Sequence, residues 1–228
     1  MKKTVSVAVA AVLSFLLLLG ALAAVSADES VIDIIITAGT TQAFSDEPVP
    51  DADLELILRA GAAAESAINQ QPWFFAVAKD PEIMKKLSGS GAGFTPPAGA
   101  PPAGAPSGMP TGGPGVMGSS KAGLGDSPVA IIIYMDENTS SPNASFDCGL
   151  ATQNMYIAAS SLGYGVKIVS SPTMTLNGSE HDSFCEMLGV DPSMRAVAVL
   201  LIGKPDTSVD ITTGASPRYD LGEKSNIR

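Results

Sequence analysis

The chain has little of what most catalytic constellations need. Its 228 residues hold one histidine, His181, and two cysteines, Cys148 and Cys185. With one histidine and no G-x-S-x-G elbow, a Ser-His-Asp hydrolase has little support. No H-E-x-x-H, P-loop or EF-hand pattern occurs. His181 and Cys185 are four apart and able to face one metal, but two ligands do not make a site, and His181 is expected as an exposed helix residue. Cations are also scarce, 13 against 23 acids for a formal net charge of −10, which argues against nucleic acid as a partner. Two cysteines do not build a disulfide framework; a pair and two buried thiols both fit.

What is present begins with "MKKTVSVAVAAVLSFLLLLGALAAVSADES". A basic start, an apolar run and a small-residue "VSA" ending at Ala27 read as a secretory signal peptide over 1–27, so the protein is expected to be exported. A membrane association follows only if this segment stays uncleaved. It contains no cysteine, so a lipoprotein anchor is not expected. Loss of Lys2 and Lys3 with it takes the net charge from −10 to −12. Asn138, Asn143 and Asn177 head N-x-[ST] sequons, which matter only in a host that glycosylates.

The remaining length suits one domain, 28–206, with a tail over 207–228. Within it, 88–125 contains the tandem "PPAGAPPAGA" and is half Gly plus Pro, 19 of 38 residues. Such a stretch has too little to bury to form a layer, so it is expected as a mobile insertion: a lid, a surface tether or a tolerated loop. Its "GPGVMG" matches G-x-G-x-x-G only by composition. Elsewhere helical and strand-like segments alternate. "DADLELILRAGAAAESA" is an amphipathic helix with an N-cap expected at Asp51, and "WFFAVAKD" is a strand. "PEIMKKLS" is a helix opening at Pro81, and "PVAIIIYMD" is a central strand covered on both faces. "FDCGLATQNMYIAASSLG" is a long helix stopped by Gly163. "VKIVS" is a short strand, "SEHDSFCEMLG" a helix with Ser179 and Asp182 spaced as a capping box, and "RAVAVLLIGKP" a buried strand. The pattern is a layered α/β or α+β domain. Asp147 near the start of the long helix reads as a general base or, more simply, as a complement to the helix dipole.

A polar knot, "NQQPW", separates the first helix from its strand. Ser66, Asn69 and Gln71 there either satisfy backbone groups at a turn or seat a ligand. The surrounding "AESAINQQPWFF" resembles the "APSAxNxQPWxF" motif of the nitroreductase family, dimeric flavin enzymes, with Ala64, Ser66, Ala67, Asn69, Gln71, Pro72 and Trp73 in register. Three further segments are similar to family motifs, in the family's order: "FSDEPVPDADLELILRAG", "FDCGLATQNMYIAASSLGYG" and "MLGVDPSMRAVAVLLIGKPD". The resemblance covers most of 44–206 outside the insertion. It implies an α+β three-layer sandwich, a mainly antiparallel sheet flanked by helices, and a homodimer whose two chains share two FMN sites. It also implies electron transfer to a small-molecule acceptor, with NAD(P)H as a reductant that is scarce outside the cytoplasm. An alternative is a flavin-free or non-catalytic module on the same scaffold.

The resemblance places cofactor contacts at Ser66, Ala67, Asn69 and Gln71, and at Val169 and Ser170 at the end of "VKIVS". A flavin ring needs an apolar floor and a few hydrogen-bonding groups at its polar edge, which the corner offers. Trp73 and Phe75 read as core anchors, and the small residues Cys148, Gly149, Ala151, Ala158 and Ala159 suit close helix packing. The sequence departs from the family just before the first acidic turn. Where "RRSxRxF" is usual, "AGTTQAF" puts Gly39, Thr40 and Gln42 at the Arg, Ser and Arg positions. Charge-assisted bonds are about twice as strong as neutral ones, so phosphate binding is expected to weaken or to draw on Thr40, Thr41, Gln42, Lys204 and Arg218. No catalytic residue is assigned.

Overall fold

The computed structural model describes residues 30–37, 39–41, 43–89, 127–208, 212–213 and 225. The expected leader over 1–27, most of the Gly/Pro-rich stretch, Gln42 and Arg218 lie outside them. Among the described residues no helix is long and apolar enough to cross a membrane. Two units result, 1–38 and 39–228. In the first, α1 (Ser30–Thr37) forms over a stretch to which the sequence reading assigned no element, with Ile32 and Ile36 exposed.

The second unit is built on a four-stranded sheet. In chain order its larger elements are α2 (Asp51–Ala62), β2 (Trp73–Ala78), α3 (Pro81–Gly89), β3 (Val129–Asp136), α4 (Ala144–Ser161), β4 (Gly165–Val169), α5 (Pro172–Leu176), α6 (His181–Leu188) and β5 (Met194–Gly203). A two-stranded ladder pairs β1 (Thr40–Thr41) with β6 (Thr212–Thr213). The sheet order is β2-β3-β5-β4, and all three pairings are antiparallel.

Period-two alternation along β3 explains the layering. Ala130, Ile132 and Tyr134 enter one core with Met84 and Leu87 of α3, Leu176 of α5, and Phe184 and Cys185 of α6. Val129, Ile131 and Ile133 enter the other with Leu54 and Ile57 of α2 and Cys148, Met155 and Ala159 of α4. Ile131, Ile132 and Ile133 are fully buried, each stabilising by about 1.5–3 kcal/mol. Between Ile133 and Tyr134 the register with β5 shifts. Val197 and Ala198 then fall on the same face, as a bulge requires. The molecule is the α+β three-layer sandwich with an antiparallel sheet between helices.

Several local expectations need correction. Asp51 is the first helical residue, not the cap; Pro50 holds the cap position without a side-chain bond, and Asp51 pairs with Lys79. The Ser179/Asp182 capping box does not form, because α6 begins at His181 and no side chain caps it. The cap that the sequence reading missed is Asp80, whose Oδ1 accepts from the amides of Glu82 and Ile83 at the start of α3. α3 runs through Gly89, so the first two residues of the Gly/Pro-rich stretch are helical. Within the expected tail over 207–228, Thr212–Thr213 pairs with β1. Gly163, with φ of +79°, ends α4 as expected, a left-handed position that glycine adopts without penalty.

His181 is buried, not exposed. Its Nδ1 lies 2.8 Å from the Leu176 carbonyl oxygen and its Nε2 2.9 Å from that of Pro192. The ring therefore ties α5 to the loop before β5. Cys185 and Cys148 are free and lie in opposite cores, which excludes their pairing. Asn177 is also built into the fold: its Nδ2 donates to the Ala196 carbonyl (2.8 Å) and its Oδ1 accepts from the Ala196 amide (2.9 Å). That sequon is closed in the folded chain.

Candidate functional site

The corner between α2 and β2 folds as a 3₁₀ turn over Ala67–Asn69. Ile68, Asn69 and Gln71 all have positive φ, +48°, +57° and +47°. Asparagine tolerates this left-handed region; a β-branched isoleucine does so only under constraint, at about 1–3 kcal/mol. The constraint comes from a local web. Ser66 Oγ accepts from the Gln71 amide at 2.9 Å, and the Ser66 carbonyl accepts from the Asn69 amide at 3.0 Å. The Gln71 side chain donates from Nε2 to Asn69 Oδ1 at 3.1 Å. Two contacts come from α4 and the segment ahead of it: Gln70 Oε1 accepts from Ser140 Oγ at 3.0 Å, and Asp147, in the first turn of α4, accepts from the Ala67 amide.

The turn reading of the polar knot holds, and it leaves groups that a ligand could use. Ser66 is a turn satisfier through its acceptor lone pair, and Ala67 is spent, its amide on Asp147 and its carbonyl on the Gln70 amide. Three groups keep outward capacity: the Ser66 hydroxyl proton, the Asn69 Nδ2 donors and the Gln71 Oε1 acceptor. Donor, donor and acceptor at one exposed corner complement a heterocycle edge that carries two carbonyls and an imide N–H. Next to them stand apolar surfaces. Ile68 is 76% exposed, Trp73 and Phe75 stack with centroids 6.3 Å apart, and a shallow groove of about 300 Å³ is lined by Glu55, Leu58, Arg59, Ala62 and Phe75. Trp73 and Phe75 are part-buried against the core as expected.

The other candidates lie elsewhere. Thr41 is buried and its Oγ1 accepts from the Val166 amide at 3.0 Å, which sets β1 beside the start of β4. Lys204 follows β5, and its carbonyl accepts from the Ser45 amide. Its ammonium sits 4.5 Å from the Tyr164 ring centroid. The Tyr164 hydroxyl in turn donates to Asp53, and burial, with that carboxylate, pushes the phenol up to about 12. Thr40, Thr41 and Lys204 therefore gather at the sheet end that holds Ala78, Val129 and Gly203. The corner sits at the opposite end, where Trp73 pairs with Met135 and Met135 with Arg195. Along β2 the separation is roughly 17 Å at about 3.3 Å per residue. Val169 and Ser170 lie on the far edge strand, β4, and just after it, with Val169 level in mid-sheet with Ala76 through Val199 and Ile132; Val169 packs into the core of α3, α5 and α6, and the Ser170 carbonyl accepts from Thr173. The candidates form three groups that one chain does not bring together.

What sequence reasoning missed about Asp147 is its contact with the corner. The residue is 2% exposed and aimed at the corner, accepting from the Ala67 amide at 3.2 and 3.3 Å and from Ser141 Oγ at 3.0 Å. It stands in the first turn of α4, as the dipole reading expects, and its oxygens are in addition turned into the protein, onto the corner. Its stripe was visible: Ala144, Asp147, Cys148, Ala151 and Met155 recur at helical spacing, and all are buried. Among the described residues no three His, Cys, Asp or Glu side chains cluster to hold a metal.

Comparison with known proteins agrees with this architecture. The model of the Nitroreductase family matches residues 38–204. A protein of Archaeoglobus fulgidus named as an NADH dehydrogenase/NAD(P)H nitroreductase is 28% identical over 187 residues, 80% of this chain and 89% of its own length. A nitroreductase with bound FMN from Desulfitobacterium hafniense has the same fold, with a TM-score of 0.68 at 21% identity over 87% of this chain and 98% of that one. A second, from Bacteroides fragilis and also with bound FMN, gives 0.65 at 19% identity over the same shares. With a family match over most of its length and four sequence motifs set on the expected elements, the chain belongs to the nitroreductase family.

Proposed function

We propose that this chain is an exported FMN-dependent oxidoreductase, moving hydride from a reduced donor to a small organic acceptor as a homodimer. The observation that carries the reading is the corner, which keeps two donors and one acceptor outward beside apolar surface while its strained backbone is held in place. Such a set fits the polar edge of a flavin ring. When bound, FMN would supply a two-electron relay. The donor is oxidised by loss of hydride, and the acceptor takes up two electrons and protons. The protein's part is to bind, orient and exclude water: Ser66, Asn69 and Gln71 hold the polar edge, and Trp73 and Phe75 stiffen the strand behind it.

The placement of candidates at opposite ends of the sheet favours a shared site, in which Thr40 and Lys204 of a second copy approach the corner of the first. Ile68 and Phe146, 76% and 65% exposed, supply apolar surface on the corner and at the start of α4 for that contact. The names of relatives point to NAD(P)H as donor; the leader points to export, where the donor would be a different reductant. A flavin-free module on the same scaffold is the second reading. It is favoured by Gly39 and Gln42 at the family's arginine positions and by Lys204 being engaged over Tyr164. Purified protein incubated with FMN and desalted should retain about one FMN per chain and oxidise NAD(P)H when a nitroaromatic acceptor is present. Protein that emerges colourless after saturation with FMN supports the second reading.

A further inference from the structure

Asp147 presents an energetic puzzle. A carboxylate 2% exposed, with an amide and a hydroxyl as its donors and no cation paired with it among the described residues, is costly to keep. The favourable end of the α4 dipole offsets part of that cost. A core of small residues, Cys148, Ala151 and Ala159, does not need an acid there. What the acid does reach is Ala67, eighty positions away in sequence, at the first residue of the left-handed corner. No backbone carbonyl accepts from the Ala67 amide among the described residues, so Asp147 is its partner. The Ala67 amide precedes three residues with positive φ, of which Asn69 tolerates the left-handed region but Ile68 and Gln71 do so at a cost, and such conformations persist only where the surroundings over-determine them. Gln70 is caught on the same side by Ser140, and Ser141 donates to Asp147 itself. The segment 139–147 therefore clasps the corner from outside.

From this geometry we infer that Asp147 is a positioning residue: its carboxylate clamps the Ala67 amide, holds Ile68, Asn69 and Gln71 in their left-handed conformation, and so sets the direction of the Asn69 and Gln71 amides. The effect on FMN rests on the functional reading above; the clamp itself does not. Asp147→Asn keeps the volume but weakens the acceptor. In cofactor-free protein, amide hydrogen exchange at Ala67, Asn69 and Gln71 should quicken at least tenfold in the variant, while amides of β3 and β5 keep their wild-type rates. In the wild type, the Ala67 amide should be protected at least a hundredfold over an unstructured peptide. This reading survives a variant that fails to fold. An unprotected Ala67 amide, or equal corner exchange in a folded variant, overturns the clamp.

The cofactor arm uses FMN titration. Asp147→Asn should weaken FMN binding at least tenfold. Because the loss passes through Asn69, adding Asn69→Asp to it should weaken binding less than the product of the two single effects. Fully multiplicative effects would show that Asp147 acts on the fold at large and not through the corner, and unchanged affinity with rapid corner exchange would overturn the positioning role. Wild-type protein that binds no FMN removes the functional reading alone and leaves the exchange result to decide the clamp.

Discussion

Replacing Asn69 separates a cofactor contact from a turn residue, provided the substitution respects the backbone. At φ of +57° alanine is a poor probe. A left-handed Cβ costs about 1–2 kcal/mol, and the exposed bond from Gln71 Nε2 contributes about 0.5 kcal/mol more. Asn69→Ala should therefore lower Tm by about 3–8 °C for a domain of this size, whatever the corner binds. Asn69→Asp is the sharper test. Aspartate tolerates the same conformation and its carboxylate still accepts from Gln71, so Tm should stay within about 2 °C. What it loses is the outward pair of Nδ2 donors, and it gains a charge facing any carbonyl on the ligand. Leaving a buried polar partner unpaired costs about 1–3 kcal/mol, so FMN affinity should fall roughly 5- to 150-fold. The assay is fluorescence titration of FMN into each variant, with a thermal melt alongside. Unchanged affinity in Asn69→Asp, or a Tm loss as large as that of Asn69→Ala, would falsify the assignment of Asn69 to the ligand.

Two further outcomes follow from packing. Asn177→Ala removes both bonds to the backbone of Ala196, next to the β5 bulge, and should cost about 2–4 kcal/mol, or about 5–15 °C in Tm; a shift under about 2 °C would show that water replaces the side chain. Burial pushes the Cys148 thiol up to about 12 and raises that of Cys185. A raised pKa means the thiol stays protonated as pH climbs through 8, and only the thiolate reacts, so iodoacetamide at about pH 8 should label neither cysteine in native protein and both in guanidinium. Rapid native labelling of either contradicts its burial.

The parts legible in the sequence were those that local periodicity controls. The apolar run of β3, the small-residue stripe of α4, the Gly163 stop and the buried β5 all formed where pattern alone placed them, because each rule acts within a few residues. The misreadings concern positions whose partners are remote. His181 looked exposed as a lone helix residue, yet His181, Phe184, Cys185 and Leu188 share one stripe, and that spacing put it inside. Asp147 was judged by its place in a helix turn, which it does hold, but no local rule shows its bond to Ala67, on another element. No local rule joins Thr40–Thr41 to Thr212–Thr213, or shows that the corner and Lys204 stand at opposite ends of one sheet. The polar groups of the candidate corner were readable from "NQQPW"; that the candidates stand at two ends of the sheet required the register.

That division supplies the most direct test of the central proposal, a site completed across two chains. Asn69→Asp should impair the corner half, and Lys204→Ala should impair the opposite half. Each variant alone should bind FMN weakly. Unfolded together in equal amounts and refolded, half the dimers should be hybrids, and each hybrid should regain one site with both halves intact. Tight FMN binding should then return to about a quarter of the wild-type site number, as two-fold symmetry requires. A mixture that binds no more tightly than the separate variants would contradict the shared site and place every cofactor contact within one chain.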